Sequence, residues 1–169
     1  MMRYIKSALV ITAMFTLHTA NAESLKEIIS QKGRDYVTAN PSEIVKKIND
    51  DEKLILAQIL IRDIKGAEAP KILIPLAKNG NISALGLLGQ KYNVGINGIP
   101  LDRTQAQIWA TKLEEIFNSS RSDKDLTLRP LCNIYSNKDG ALYNADKNFR
   151  YCKLYYESGK VDGTYAFQM

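Results

Sequence analysis

The chain is nearly without histidine. Of its 169 residues only His18 is one, and it stands within a stretch that reads as an export signal. Arg3 and Lys6 give that stretch a positive start, Ala8 to Leu17 form an uncharged apolar run, and Ala20-Asn21-Ala22 supplies small residues for cleavage. The apolar run is far shorter than the roughly 20 residues a spanning helix needs, so residues 1–22 are expected to be removed rather than kept as an anchor. The mature chain, expected to begin at Glu23, then has no histidine at all. That excludes Ser-His-Asp and Cys-His nucleophiles, histidine-ligated metal and imidazole acid-base chemistry.

Cysteine is scarce as well. Cys132 and Cys152 are the only two, and neither lies near the cleavage site, so the sequence offers no lipid-modified N-terminus. Neither a C-x-x-C spacing nor further soft ligands accompany them, which argues against redox catalysis and zinc. In a chain that leaves the reducing cytosol an even pair is expected to be a structural disulfide, its 20-residue separation contributing about 3 kcal/mol. Also missing is any sustained basic block or basic-aromatic ladder. The formal charge of +5 falls to +3 once Arg3 and Lys6 leave with a signal that holds no acid, and the remaining cations are mixed among Asp and Glu. Nucleic acid is therefore not an expected partner. Nothing calls for a cofactor, and the periplasm or the exterior is the expected location.

What is present is helical pattern broken by turns. Leu25, Ile28 and Ile29 suggest a first helix from Glu23 to Val37, and Pro41 or Ser42 starts the next, with Ile44, Val45 and Ile48 at helical spacing. After Asn49-Asp50-Asp51 a run from Leu54 to Ile64 continues apolar, where a strand from Leu54 to Ile61 is the competing reading. Gly66 breaks the run. Further helices are expected over 67–78, 82–94, 102–118, 126–135 and 145–156. Ser119 to Asp123 is the most linker-like segment. Without the signal, 147 residues suffice for one domain, 23–169, divided into N-terminal helices over 23–65, a repeat region over 66–118 and a C-terminal part over 119–169.

Two stretches come into partial register: Leu88-Gly89-x-x-Tyr92 and Leu131-Cys132-x-x-Tyr135. The fuller pattern Ala84-x3-Leu88-Gly89-x2-Tyr92-x2-Gly95-x2-Gly98-Ile99-x2-Asp102-x3-Ala106-x2-Trp109 resembles one unit of the Sel-one-like repeat, a cousin of the tetratricopeptide solenoids. Pro75 to Asn81 resembles the end of the preceding unit, so the likeness covers about residues 69 to 109. It implies an all-α fold, a short α/α-solenoid of antiparallel helix pairs in a right-handed superhelix. On that reading Gly89, Ala84 and Ala106 let helices approach, and Tyr92 and Trp109 fill the space between layers. Gly95 and Gly98 make the turn, and Asp102 caps the second helix.

The chain departs from the family in a turn one residue longer, in Pro75 inside a helix, and in Cys132 standing where the family has glycine. Cys152 stands near the tryptophan position, so a disulfide could replace small-large packing in a degenerate last repeat.

Family resemblance implies a binding role: a non-catalytic adaptor, regulator, or inhibitor of the toxin-immunity type, with another protein as partner. Tyr151 and Tyr155 share a face of the last helix and are expected to pack, which leaves Arg150 and Tyr156 as the candidate contacts. The alternative is a glycan-processing enzyme of the cell envelope working through carboxylates such as Glu114, Glu115, Asp123, Asp125, Glu157 or Asp162. Their ordinary reading is as solvated helix faces and turns.

Overall fold

A computed structural model describes residues 23–119 and 122–159. The expected signal over 1–22, Ser120 and Arg121 of the linker-like segment, and Asp162 lie outside the described residues. Among those that are described the chain is all-helical, with no strand, so the strand reading of Leu54 to Ile61 is set aside.

The first helix is interrupted where the sequence suggested a continuous one. α1 (Leu25–Lys32) starts at a capping box, the Ser24 side chain accepting from the Glu27 amide while Glu27 reaches back to the Ser24 amide. It stops at Gly33, whose φ of +83° is a left-handed value that suits glycine, and α2 (Arg34–Ala39) resumes beyond it. α3 (Pro41–Ile44) is a single turn begun by Pro41. α4 (Asp50–Arg62) has its own capping box, Asn49 with Glu52, and Glu52 also accepts from the Leu25 amide at 2.8 Å. One carboxylate thus caps α4 and ties α1 to it.

After a 3₁₀ turn (Gly66–Glu68), α5 (Ala69–Lys78) runs through Pro75. α6 (Ile82–Val94) is capped by Asn81, which accepts from the Ala84 amide, and ends at Gly95. Gly95 and Gly98 have φ of +63° and +90°, and their turn leads to α7 (Arg103–Ser119), where the Asp102 carboxylate accepts from the Gln105 amide at 2.9 Å. α8 (Lys124–Ser136) and α9 (Ala145–Glu157) follow, the latter capped by Asn144.

Consecutive helices from α4 to α9 pack as neighbours, and α6 also reaches α8. Their buried faces form a contiguous core running from Leu25 to Cys152, with Leu56, Leu73, Leu88, Leu113 and Leu131 almost wholly excluded from water. Small residues set the spacing of α6 on α8. A Cβ placed on Gly86 would meet Pro130 at 2.9 Å, and one on Gly89 would meet the Ile134 side chain at 2.7 Å. The tightest neighbour of Gly89 therefore lies in the next helix pair; the Trp109 Cβ, within its own pair, is 3.7 Å from the same point. Ala84 and Ala106 are fully buried, Trp109 is nearly so, and Tyr92 is half-buried against the core. No helix among the described residues is long and apolar enough to cross a membrane.

Candidate binding cleft

The best-formed concavity lies where α3, α4 and α5 meet, a cleft of about 340 Å³. Its apolar lining is Pro41, Val45, Ile72, Pro75 and Leu76, and its rim carries two ion pairs. Lys53 Nζ lies 2.7 Å from Asp50, and Lys71 Nζ lies 2.8 Å from Glu68. Each pair is three residues apart in the chain and at least partly open to solvent, so it can be rearranged at little cost when something enters. Pro41 makes the cleft possible by starting α3 abruptly, and Pro75 presents a helix surface with no amide to solvate. Ser42 and Asn79 supply neutral hydrogen-bonding groups at its edges. Two shallower depressions follow the α6–α8 seam over Pro130 and Arg129.

A second feature is polar and closed. Glu114 Oε1 accepts from the Tyr135 hydroxyl at 3.0 Å, the Tyr151 hydroxyl at 3.1 Å and Lys147 Nζ at 2.8 Å. Tyr135 and Tyr151 stack at 5.9 Å, and Phe117 meets Tyr151 edge-on at 5.3 Å. Burial, reinforced by the Glu114 charge and hydrogen bonds, pushes the Tyr151 hydroxyl up to about 12 and raises the Tyr135 hydroxyl further still. Both phenols are therefore donors at neutral pH. The cluster fastens α7, α8 and α9 together.

The five candidate carboxylates among the described residues do not form one cluster. Glu114 turns inward, while the adjacent Glu115 is exposed on the outer flank of α7 with Gln107 and Thr111. Glu157 lies 3.8 Å from Lys153, and Asp123 and Asp125 stand at the start of α8. Among the described residues no second carboxylate of that set hydrogen-bonds into the Glu114 cluster.

Cys132 and Cys152 are joined by a disulfide between α8 and α9, with their Cα atoms 4.7 Å apart. Arg150 is exposed, and its guanidinium lies over the rings of Phe117 and Tyr151 at 5.6 and 5.5 Å. Tyr156, expected as a free contact, is half-buried against the core, its ring 5.7 Å from that of Tyr155. The packed arc of α9 is wider than a single stripe because Tyr151, Cys152, Leu154, Tyr155 and Tyr156 all meet the core. Neither Arg150 nor Tyr156 lines the cleft.

Two asparagines that the pattern reading passed over join the layers. Asn93 is fully buried; its side chain donates to the Ile134 carbonyl at 2.8 Å and accepts from the Leu142 amide at 2.7 Å. Its own carbonyl takes the Ala141 amide, and a Cβ on Gly140 would strike its side chain. Asn97, at φ +52°, works in the opposite direction, donating to the Ile61 carbonyl at 2.8 Å while its carbonyl takes the Gly66 amide. One asparagine thus reaches the following helix pair and the other the preceding one. Comparison with known families, curated proteins and solved structures gives no match.

Proposed function

We propose that this is an exported, non-catalytic repeat protein of the Sel-one-like kind, a short right-handed α/α-solenoid that binds another protein in the periplasm or outside the cell. The cleft between α3, α4 and α5 is the binding site, and its apolar lining inside an ion-paired rim is the observation that carries the reading. Such a lining gains from excluding water, while the rim charges set orientation. Its volume suits a few apolar side chains of a partner segment, as an adaptor, a regulator or an inhibitor of a toxin would require. Further support comes from helix pairs packed in sequence, the repeat pattern from Ala84 to Trp109, and a disulfide suited to an oxidising compartment.

Pro75 is exposed, so a photo-crosslinking residue there reports on the cleft without entering the core. In cells that make the protein it should yield one discrete protein adduct. A crosslinker at exposed Lys112 on α7 should not yield it, and Lys71→Glu should weaken it. Equal adducts from both positions, or none from position 75, would remove the cleft as the site.

A further inference from the structure

Ile64 is anomalous in two ways. Its φ is +60°, in the left-handed region that a β-branched side chain rarely enters, and it is 75% exposed. The backbone reason is local: α4 ends with the Lys65 amide bonded to the Leu60 carbonyl, a closure that puts residue 64 where helices usually have glycine. An aliphatic side chain is thus held out in water on a backbone that would prefer none. Strain of this kind concentrates at functional positions.

Ile64 is not isolated. Gly66, two residues on, donates its amide to the Asn97 carbonyl at 2.9 Å, and beside Asn97 stands Ile96, 39% exposed. Leu101, 55% exposed, crosses over Gly95, where an added Cβ would meet the Leu101 Cβ at 2.8 Å. Two turns at one edge of the helix stack, pinned by Asn97, therefore carry three exposed aliphatic side chains. Charged groups of both signs flank them, with cations in slight excess, and Lys65 Nζ also donates to Thr38 Oγ1 at 3.0 Å. Arg34 makes a bidentate pair with Asp63 at 2.7 and 2.8 Å, and the charges of Arg62 and Lys65 also act on that carboxyl, whose pKa lies below the ordinary value chiefly through the Arg34 hydrogen bonds. Asp35 lies near Arg34, exposed Arg103 follows Leu101 by two residues, and Asp102 is occupied with capping α7.

We propose that this edge rests on an anionic lipid surface, with Ile64, Ile96 and Leu101 entering the headgroup boundary and Arg62, Lys65 and Arg103 meeting lipid phosphates. Three aliphatic groups on turns, with no exposed aromatic ring among them, offer too little for a protein interface of about 800 Å² per partner, whereas apolar tips with flanking cations suit a membrane interface. The edge begins beyond the C-terminal end of α4, and none of its residues lines the cleft, so the two surfaces can be altered separately. The proposal thus stands or falls separately from the protein-binding reading.

Sedimentation of the chain from residue 23 onward with vesicles of phosphatidylethanolamine and phosphatidylglycerol at roughly 7:3, against pure phosphatidylcholine, tests it. The protein should partition onto the anionic vesicles. Ile64→Asn with Leu101→Asn should lower partitioning about tenfold or more with helicity unchanged, since asparagine accepts the left-handed backbone. Arg62→Gln with Arg103→Gln should lower it roughly twentyfold, and Lys46→Gln with Lys47→Gln, the same charge removed elsewhere, less than about twofold. Three results would overturn the proposal: no excess binding to anionic vesicles, unchanged binding by the asparagine pair, or equal loss from both glutamine pairs.

Discussion

From α1 to α4 the chain passes through three short helices and one longer one, secured by caps and exposed ion pairs, whereas from α6 to α9 every helix has 13 residues or more and buried polar groups and a disulfide lock them. The first construction leaves gaps between elements, and the cleft over Val45 and Pro75 is one of them. In the second, Gly86 and Gly89 draw α8 onto α6, and Asn93, Glu114 and the disulfide tie the last pair down. Close packing and buried hydrogen bonds resist rearrangement; surface ion pairs scarcely do. One end is the easier to rearrange, and the other resists it.

The contrast breaks first at the disulfide. Cys132→Ser with Cys152→Ser should cost about 3 kcal/mol in denaturant unfolding, because the bond closes a 20-residue loop. Hydrogen exchange should locate the loosening in α8 and α9 and leave α4 and α5 protected. Equal loosening at both ends would mean that the stack melts as one unit and has no rigid and adaptable halves.

Asn93→Ala comes next, at about 2–3 kcal/mol, since it leaves the buried Leu142 amide and Ile134 carbonyl without their partner. Removing Arg34, whose bidentate pair with Asp63 is solvent-facing, should move the melting temperature far less, and comparable losses from the two changes would erase the distinction.

A smaller effect is confined to alkaline solution. Tyr151 and Tyr135 have folded-state pKa values raised above the unfolded value near 10, so the folded chain keeps protons that the unfolded chain gives up. Their contribution is whole below pH 10 and is lost as the pH climbs toward about 12, the folded value for Tyr151. Tyr151→Phe should flatten that loss, as followed by helicity across the alkaline range. An alkaline loss that Tyr151→Phe leaves unchanged would remove the Glu114 cluster as its source.

How much of this was legible in the sequence follows from how far apart the partners stand. Asp102 could be read as a cap, and Gly95 and Gly98 as a turn, because each acts within a few residues. The cysteines could be paired because there were only two. Asn93 could not be read, since its partners lie 41 and 49 residues away, in a segment whose placement the local pattern does not determine. The cleft is hidden for the same reason, since its lining brings together Pro41 and Pro75, 34 residues apart in the chain. Gly33 misled in the opposite sense: helical spacing continues across it, so the pattern suggested one helix where the backbone turns. Glu114 was singled out for chemistry, yet three donors on one oxygen make it a fastener.

The smallest expected effect has the least usual sign. Replacing an aliphatic residue by glycine normally destabilises, through lost burial and a more flexible unfolded chain. At Ile64 the first term is almost absent, because the side chain is 75% exposed. The second is opposed by relief of the left-handed conformation, which costs a non-glycine residue roughly 1–2 kcal/mol. Ile64→Gly should therefore leave the protein as stable as before or stabilise it by up to about 1 kcal/mol, whereas Gly33→Ile, at φ +83° and ψ 160° in a region essentially confined to glycine, should destabilise it by more, about 1–3 kcal/mol. A clear loss of stability in Ile64→Gly would mean that Ile64 supports the fold, and the edge it stands on would then have no need of a membrane to account for it.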